Sequence, residues 1–176
     1  MSLGWAARHP ELVAGVATLN TAVHQPEGAP IPAPLQAALA GPVLPASTVT
    51  TDAFLSVTTS LATPALDRET RAAYHLPYDT AARRGGVGGF VADIPADPGH
   101  GSHPELQRVG EDLASLGRTD VPALILWGAD DPVFLDRYLD DLRDRLPHAR
   151  VHRYERAGHL LVDDRDITAP LLQWAQ

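Results

Sequence analysis

The sequence predicts an α/β protein: a parallel sheet of three strands, interrupted after the first strand by a long helical insertion. Three observations carry this expectation. Leu12–Leu19 (LVAGVATL) and Val121–Trp127 (VPALILW) are near-continuous apolar runs, the pattern of strands buried on both faces of a parallel sheet. Between them lies a stretch with helical patterning and no strand pattern. After them, a surface helix and a further strand follow in strand–helix–strand order, which joins parallel neighbours.

Taken in order, Ser2–Arg8 (SLGWAAR) suits a short buried helix, with Leu3, Trp5, Ala6 and Ala7 apolar. His9-Pro10 ends it, because proline disfavours helical geometry in the residue before it. Leu12–Leu19 is then the first strand. Prolines cluster next, at positions 30, 32, 34, 42 and 45. Helices are expected at Thr51–Leu61, at Asp67–His75 with Asp67 as N-cap, near Tyr78–Arg84, and at the amphipathic Glu105–Leu116. Four glycines in Ala82–Phe90 (ARRGGVGGF) predict a loose segment, since glycine costs about 1 kcal/mol per helical site relative to alanine. Val121–Trp127 is the second strand, with Pro122 near its start, where a missing donor is tolerated. Asp131–Leu146 is a surface helix with Leu135, Tyr138, Leu139, Leu142 and Leu146 on one face and charges on the other. Ala149–Tyr154 is the third strand and Ile167–Trp174 a closing helix. Domain boundaries are expected at 1–28 (core), 29–117 (insertion) and 118–176 (core).

Composition narrows the functional classes. The chain has 176 residues, 44% of them hydrophobic, enough for one ordinary core. A net charge of −8 argues against a nucleic-acid partner or an anionic membrane surface. With no cysteine, disulfides and thiolate zinc sites are excluded. No apolar run is long enough to span a bilayer, and the N-terminus lacks the basic region of a signal peptide. The expected location is the cytoplasm. No cofactor or metal is expected. His100 and His103 (DPGHGSHPE) form a weak metal pattern without a supporting carboxylate set.

In open parallel sheets, ligands sit beyond the carboxyl ends of the strands. Two loops lie there. Gly128-Ala129-Asp130-Asp131-Pro132 follows the second strand, and Arg156-Ala157-Gly158-His159 follows the third. Taken alone, Asp131 reads as a helix N-cap with Pro132 at the first helical position, and His159 as a packed or surface residue. Taken together they offer a carboxylate that can bond one imidazole nitrogen, fix its tautomer and leave the other nitrogen as a base. Their chain order, acid then base, is that of hydrolases whose nucleophile comes first.

These segments carry a family resemblance. LILWGADDPVF and YERAGHLLVDD resemble the acid and histidine motifs of the α/β-hydrolase fold. SLGWAARHPELVAGVATLNTAVHQP resembles the helix after the nucleophile elbow and the next strand. NTAVHQP and AAYHLPYDTAARR…FVADIP resemble the haloalkane dehalogenase-like branch, and within it the β-lactone-processing hydrolases of long-chain olefin biosynthesis. The resemblance implies that the fold is the C-terminal part of an α/β-hydrolase sheet with an inserted helical cap, that Asp131 is the acid, and that His159 is the general base. It implies that Tyr74, Tyr78 and Phe90 line a pocket for a small apolar organic substrate. Asn20 falls where some relatives carry a functional acid, and as an amide is expected to serve as a hydrogen-bonding or structural residue. The family's nucleophile, typically an Asp, lies just before the segment matching Ser2. The chain therefore reads as a C-terminal piece, with an N-terminal half as a possible partner supplying the nucleophile. The alternatives left open are an inactive or partner-dependent half-domain, an epoxide hydrolase using Tyr74 and Tyr78, and a serine esterase.

Overall fold

The computed structural model describes residues 2–25 and 31–176. The 28/29 domain boundary lies outside the described residues, as does Pro26 of the NTAVHQP segment.

Helix α1 (Ser2–Arg8) leads through a single 3-10 turn at Pro10–Leu12 into strand β1 (Val16–Leu19). The insertion follows: α2 (Ala33–Leu39), α3 (Val43–Pro45), a π-turn at Ala46–Thr50, α4 (Ala53–Thr59), α5 (Arg68–His75) and α6 (Ala81–Ala92). Helix α7 (His103–Leu116) leads into β2 (Ala123–Gly128), α8 (Asp136–Arg145), β3 (Arg150–Tyr154), α9 (Leu161–Asp164) and α10 (Thr168–Trp174). The sheet order is β1-β2-β3, parallel throughout, with Val16 opposite Ala123 and Leu124 opposite Arg150.

All six residues of β2 are buried, as its continuous apolar run predicts for a central strand. Its side chains alternate between two cores. Ile125 and Trp127 pack with Val109, Leu113 and Leu116 of α7 and Leu139 and Leu142 of α8. Leu124 and Leu126 face Ala157 and Leu161, with Leu171 and Trp174 of α10 against them. Helix α7, placed in the insertion by the sequence, is thus part of the main core. Tyr138, Leu139, Leu142 and Leu146 are buried on the expected face of α8.

The first strand departs from expectation. It is four residues long, and its pattern alternates: Val16 and Thr18 are buried and Ala17 is exposed. Leu12 is 68% exposed in the 3-10 turn. The apolar run recorded hydrophobicity, but β1 has one hydrogen-bonded neighbour among the described residues, and on its second face Ala17 is exposed and Leu19 only partly buried against the Leu124–Leu126 side of the sheet. Trp5 of α1 is likewise 49% exposed, while Gly4 and Ala6 face the core.

The expected helix at Tyr78–Arg84 is two elements. A 3-10 turn spans Leu76–Tyr78, and α6 starts after Thr80, whose hydroxyl accepts from Arg83 N at 3.3 Å. The glycine-rich stretch is not loose but a continuous twelve-residue helix. Arg84 anchors it, donating to the carbonyls of Val49 at 2.9 Å, Tyr78 at 2.9 Å and Thr50 at 3.2 Å. Gly88 explains part of the composition: a Cβ there would stand 2.5 Å from Val49 Cγ2 and 3.1 Å from Thr48 Oγ1. Close helix–turn packing thus offsets the poor helix propensity.

Candidate active site

The site is built where the three strands end. β1 runs into Asn20, whose φ of 27° turns the chain away from the sheet, a conformation asparagine tolerates better than most residues. β2 runs through Gly128 to Asp131, and β3 to Gly158 and His159. The loops are tied to each other by backbone bonds from Ala129 N to Tyr154 O at 3.0 Å and Asp130 N to Ala157 O at 2.8 Å. Gly128 permits this approach: a Cβ would stand 2.5 Å from the Gly158 carbonyl and 2.9 Å from that of Ala157.

Asp131 is 2% exposed and accepts from two backbone amides and from the side-chain amide of Asn20. Its Oδ1 accepts from Val133 N at 2.7 Å and Phe134 N at 3.1 Å. These are cap-like bonds, but they close a turn, and α8 begins only at Asp136. The structural and the catalytic readings of Asp131 are therefore served by different oxygens. Oδ2 accepts from Asn20 Nδ2 at 2.7 Å and pairs with His159 Nδ1 at 2.9 Å. Burial pushes the Asp131 carboxyl up, but the bonds from His159, Asn20 and Val133 outweigh it and hold it below the ordinary carboxylate value. An ionised carboxylate only accepts. The contact with Oδ2 suits the tautomer that carries its proton on His159 Nδ1, in which Nε2 is the nitrogen free to accept.

Asn20 organises this arrangement. Its Oδ1 accepts from Gly128 N at 2.7 Å, while Nδ2 reaches Asp131 and, at 3.3 Å, the Gly128 carbonyl. One buried amide thus joins the ends of β1 and β2 to the acid, consistent with its expected hydrogen-bonding role.

His159 forms part of the wall of a cavity of about 640 Å³ between the sheet end and the insertion. The wall is dominated by apolar side chains, Phe54, Val57, Leu61, Ile94, Leu106 and Phe134 among them. The Phe134 and His159 rings lie 5.7 Å apart.

Tyr74, Tyr78 and Phe90, expected to line a substrate pocket, are not among the residues that line this cavity. The Tyr74 hydroxyl donates to Asp163 at 2.5 Å, and this bond, with partial burial, pushes it up to about 12. Tyr78 gives its carbonyl to Arg84. Phe90 is 75% exposed. The helix faces that carry them were not legible, because α5 and α6 are oriented by long-range contacts such as those of Arg84. The sequence reading missed Phe54 and Leu61, which sit on and just after α4, and Asp164, a 5% exposed carboxylate following His159. The Asp163-Asp164 pair beside a histidine loop was the available signal.

His100 is committed elsewhere: its Nδ1 accepts from Ser102 N at 3.1 Å and its Nε2 meets the Ala92 carbonyl at 3.0 Å. Among the described residues no three His, Cys, Asp or Glu side chains stand together as a metal site. No helix among them is long and apolar enough to cross a membrane.

Residues 1–166 match the profile of the alpha/beta hydrolase fold. The chain belongs to this family. As an α/β-hydrolase it is 34% identical, over 170 residues, to the cis-3-alkyl-4-alkyloxetan-2-one decarboxylase of Shewanella oneidensis. That match covers 93% of this chain and 52% of the relative, so the α/β-hydrolase chain described here spans about half the relative's length. It is 27% identical over 114 residues to the haloalkane dehalogenase of Mycolicibacterium paratuberculosis, covering 60% of this chain and 35% of that one. Its fold matches the crystal structure of a haloalkane dehalogenase from Bradyrhizobium elkani with a TM-score of 0.80 at 20% identity, over 99% of this chain and 62% of that one.

Proposed function

We propose that Asp131 and His159 are the acid and base of an enzyme of haloalkane dehalogenase-like type that acts on an apolar β-lactone. The observation that carries this reading is the 2.9 Å contact between Asp131 Oδ2 and His159 Nδ1, at the wall of an apolar cavity. In this reading a carboxylate nucleophile attacks a ring carbon. The carbon–oxygen bond opens and an ester to the enzyme forms. His159 Nε2 then takes a proton from water, whose oxygen adds to the ester carbonyl; the adduct collapses by breaking the bond to the product oxygen, which takes the proton back from the imidazolium as it leaves and regenerates the enzyme carboxylate. While it lasts, the imidazolium is stabilised by Asp131. The names of the 34% identical relative and of the dehalogenase support a strained lactone first and a haloalkane second. The epoxide-hydrolase alternative loses its support, since Tyr74 is bonded to Asp163 and neither Tyr74 nor Tyr78 is in the cavity wall.

The test uses the protein expressed from its genomic locus, with His159→Ala beside the unchanged protein. Each is incubated with a cis-3,4-dialkyl-oxetan-2-one and with a 1-bromoalkane of similar length. The unchanged protein is expected to consume the lactone, and the variant to accumulate a covalent adduct seen by intact mass. Consumption of neither compound, or equal turnover by the variant, overturns the reading.

A further inference from the structure

Asp164 lies five residues beyond His159 on the short helix α9 and is 5% exposed. Its two carboxylate oxygens accept from two separate segments. Oδ1 takes Thr63 N at 2.7 Å, on the stretch that leaves α4, and Oδ2 takes Gly158 N at 2.5 Å, the residue before His159. A third bond closes the triangle: His159 N donates to the Leu61 carbonyl at 3.3 Å. Gly158 lets the strands of this triangle meet, since a Cβ there would run into the Leu61 carbonyl and stand 3.3 Å from Asp164 Oδ2. Leu61 and His159 both face the cavity.

A carboxylate buried this deeply is costly unless its oxygens are bonded. A helix of four residues has no need of such an acceptor six residues back along the chain. The bonds instead fix where the His159 backbone stands relative to the cavity wall. We infer that Asp164 is a positioning residue: it holds His159 at the height at which its ring meets Asp131, and couples that height to the Leu61–Thr63 segment of the insertion. The inference rests on the reading of His159 as the base only for its catalytic meaning; the geometry is measurable without turnover.

The experiment is solution NMR on the full chain, reading the hydrogen-bonded Nδ1–H proton and ring shifts of His159. Asp164→Ala and Asp164→Asn are compared with Asp163→Asn, which changes the neighbouring carboxylate that holds Tyr74. Asp164→Ala is expected to lose the downfield Nδ1–H resonance. The isosteric Asp164→Asn, which keeps one acceptor and the shape, is expected to fold and to shift or broaden it, with faster amide exchange at both Gly158 and Thr63. Asp163→Asn is expected to leave the resonance in place. An unchanged His159 resonance in a folded Asp164→Asn protein, or equal loss in Asp163→Asn, overturns the inference. Neither result depends on which substrate the enzyme turns over.

Discussion

The side-chain amide of Asn20 donates to Asp131 Oδ2 at 2.7 Å, on the same oxygen that takes the His159 ring proton at 2.9 Å. A neutral donor thus fixes the acid without competing for charge. The same amide's oxygen holds Gly128 N, so β1 and β2 end at one shared group.

Replacing Asn20 tests this directly. Asn20→Ala leaves the buried Gly128 N–H without its acceptor and removes one donor from Asp131, and is expected to destabilise the fold by about 1–3 kcal/mol. Asn20→Asp places a second carboxyl against a buried one. It is expected to cost more at neutral pH and to recover partly on acidification, when one proton is shared. Urea unfolding of both variants at neutral and acid pH checks the order.

Asp131→Asn separates the acid's charge from its shape. Asp131 sits below its ordinary value in the folded protein. Its ionised form therefore contributes stability that is fully present above the unfolded value, about pH 4, and lost as pH falls through the lowered folded value. The stability gap between the unchanged protein and Asp131→Asn is expected to be largest near neutrality and to shrink below about pH 4. In the active enzyme the substitution is expected to lower turnover by about 10²–10⁴-fold, since the imidazolium loses its counter-charge.

Two glycines limit how the loops can be altered. In Gly128→Ala the new methyl meets the backbone carbonyls of Gly158 and Ala157, and in Gly158→Ala it meets that of Leu61. Backbone cannot yield as a flexible side chain can, so each is expected to cost about 1–3 kcal/mol or more. Gly86→Ala, which faces open space in α6, is expected to stabilise by up to about 1 kcal/mol. Thermal unfolding of the three variants ranks them.

The cavity, not the cap tyrosines, is expected to govern ligand size. Phe54→Ala should raise the affinity for ligands with longer alkyl chains, measured by fluorescence competition, because it enlarges an apolar wall. Phe90→Ala and Tyr78→Phe should leave that series unchanged, since neither residue belongs to the wall.

Much of the site was legible because it depends on local chain order. Asp131 follows the buried β2 and His159 follows the largely exposed edge strand β3, and parallel strands in one sheet deliver their following loops to the same edge. The turn chemistry of Gly128, Asp131 and Gly158 marked those loops further. That Tyr74, Tyr78 and Phe90 stand outside this cavity's wall was not legible, for the opposite reason. A helix's apolar spacing says that it has a buried face, but not which neighbour covers it, and α6 is aimed by Arg84 reaching carbonyls more than thirty residues away.

By itself, then, the sequence determined the α/β order, the central strand β2, the amphipathic α7 and α8, and the two residues that meet at the sheet's end, because periodicity and turn residues act over a few positions. Only the tertiary structure decided that β1 is short and half-open, that the glycine run is a helix, and that Asn20 and Asp164 bracket the Asp131–His159 pair. The last depends on hydrogen bonds between segments a hundred residues apart, Asn20 to Gly128 and Thr63 to Asp164, and the helix on Arg84 reaching Val49 and Thr50; no local pattern encodes which distant partner a polar group will find.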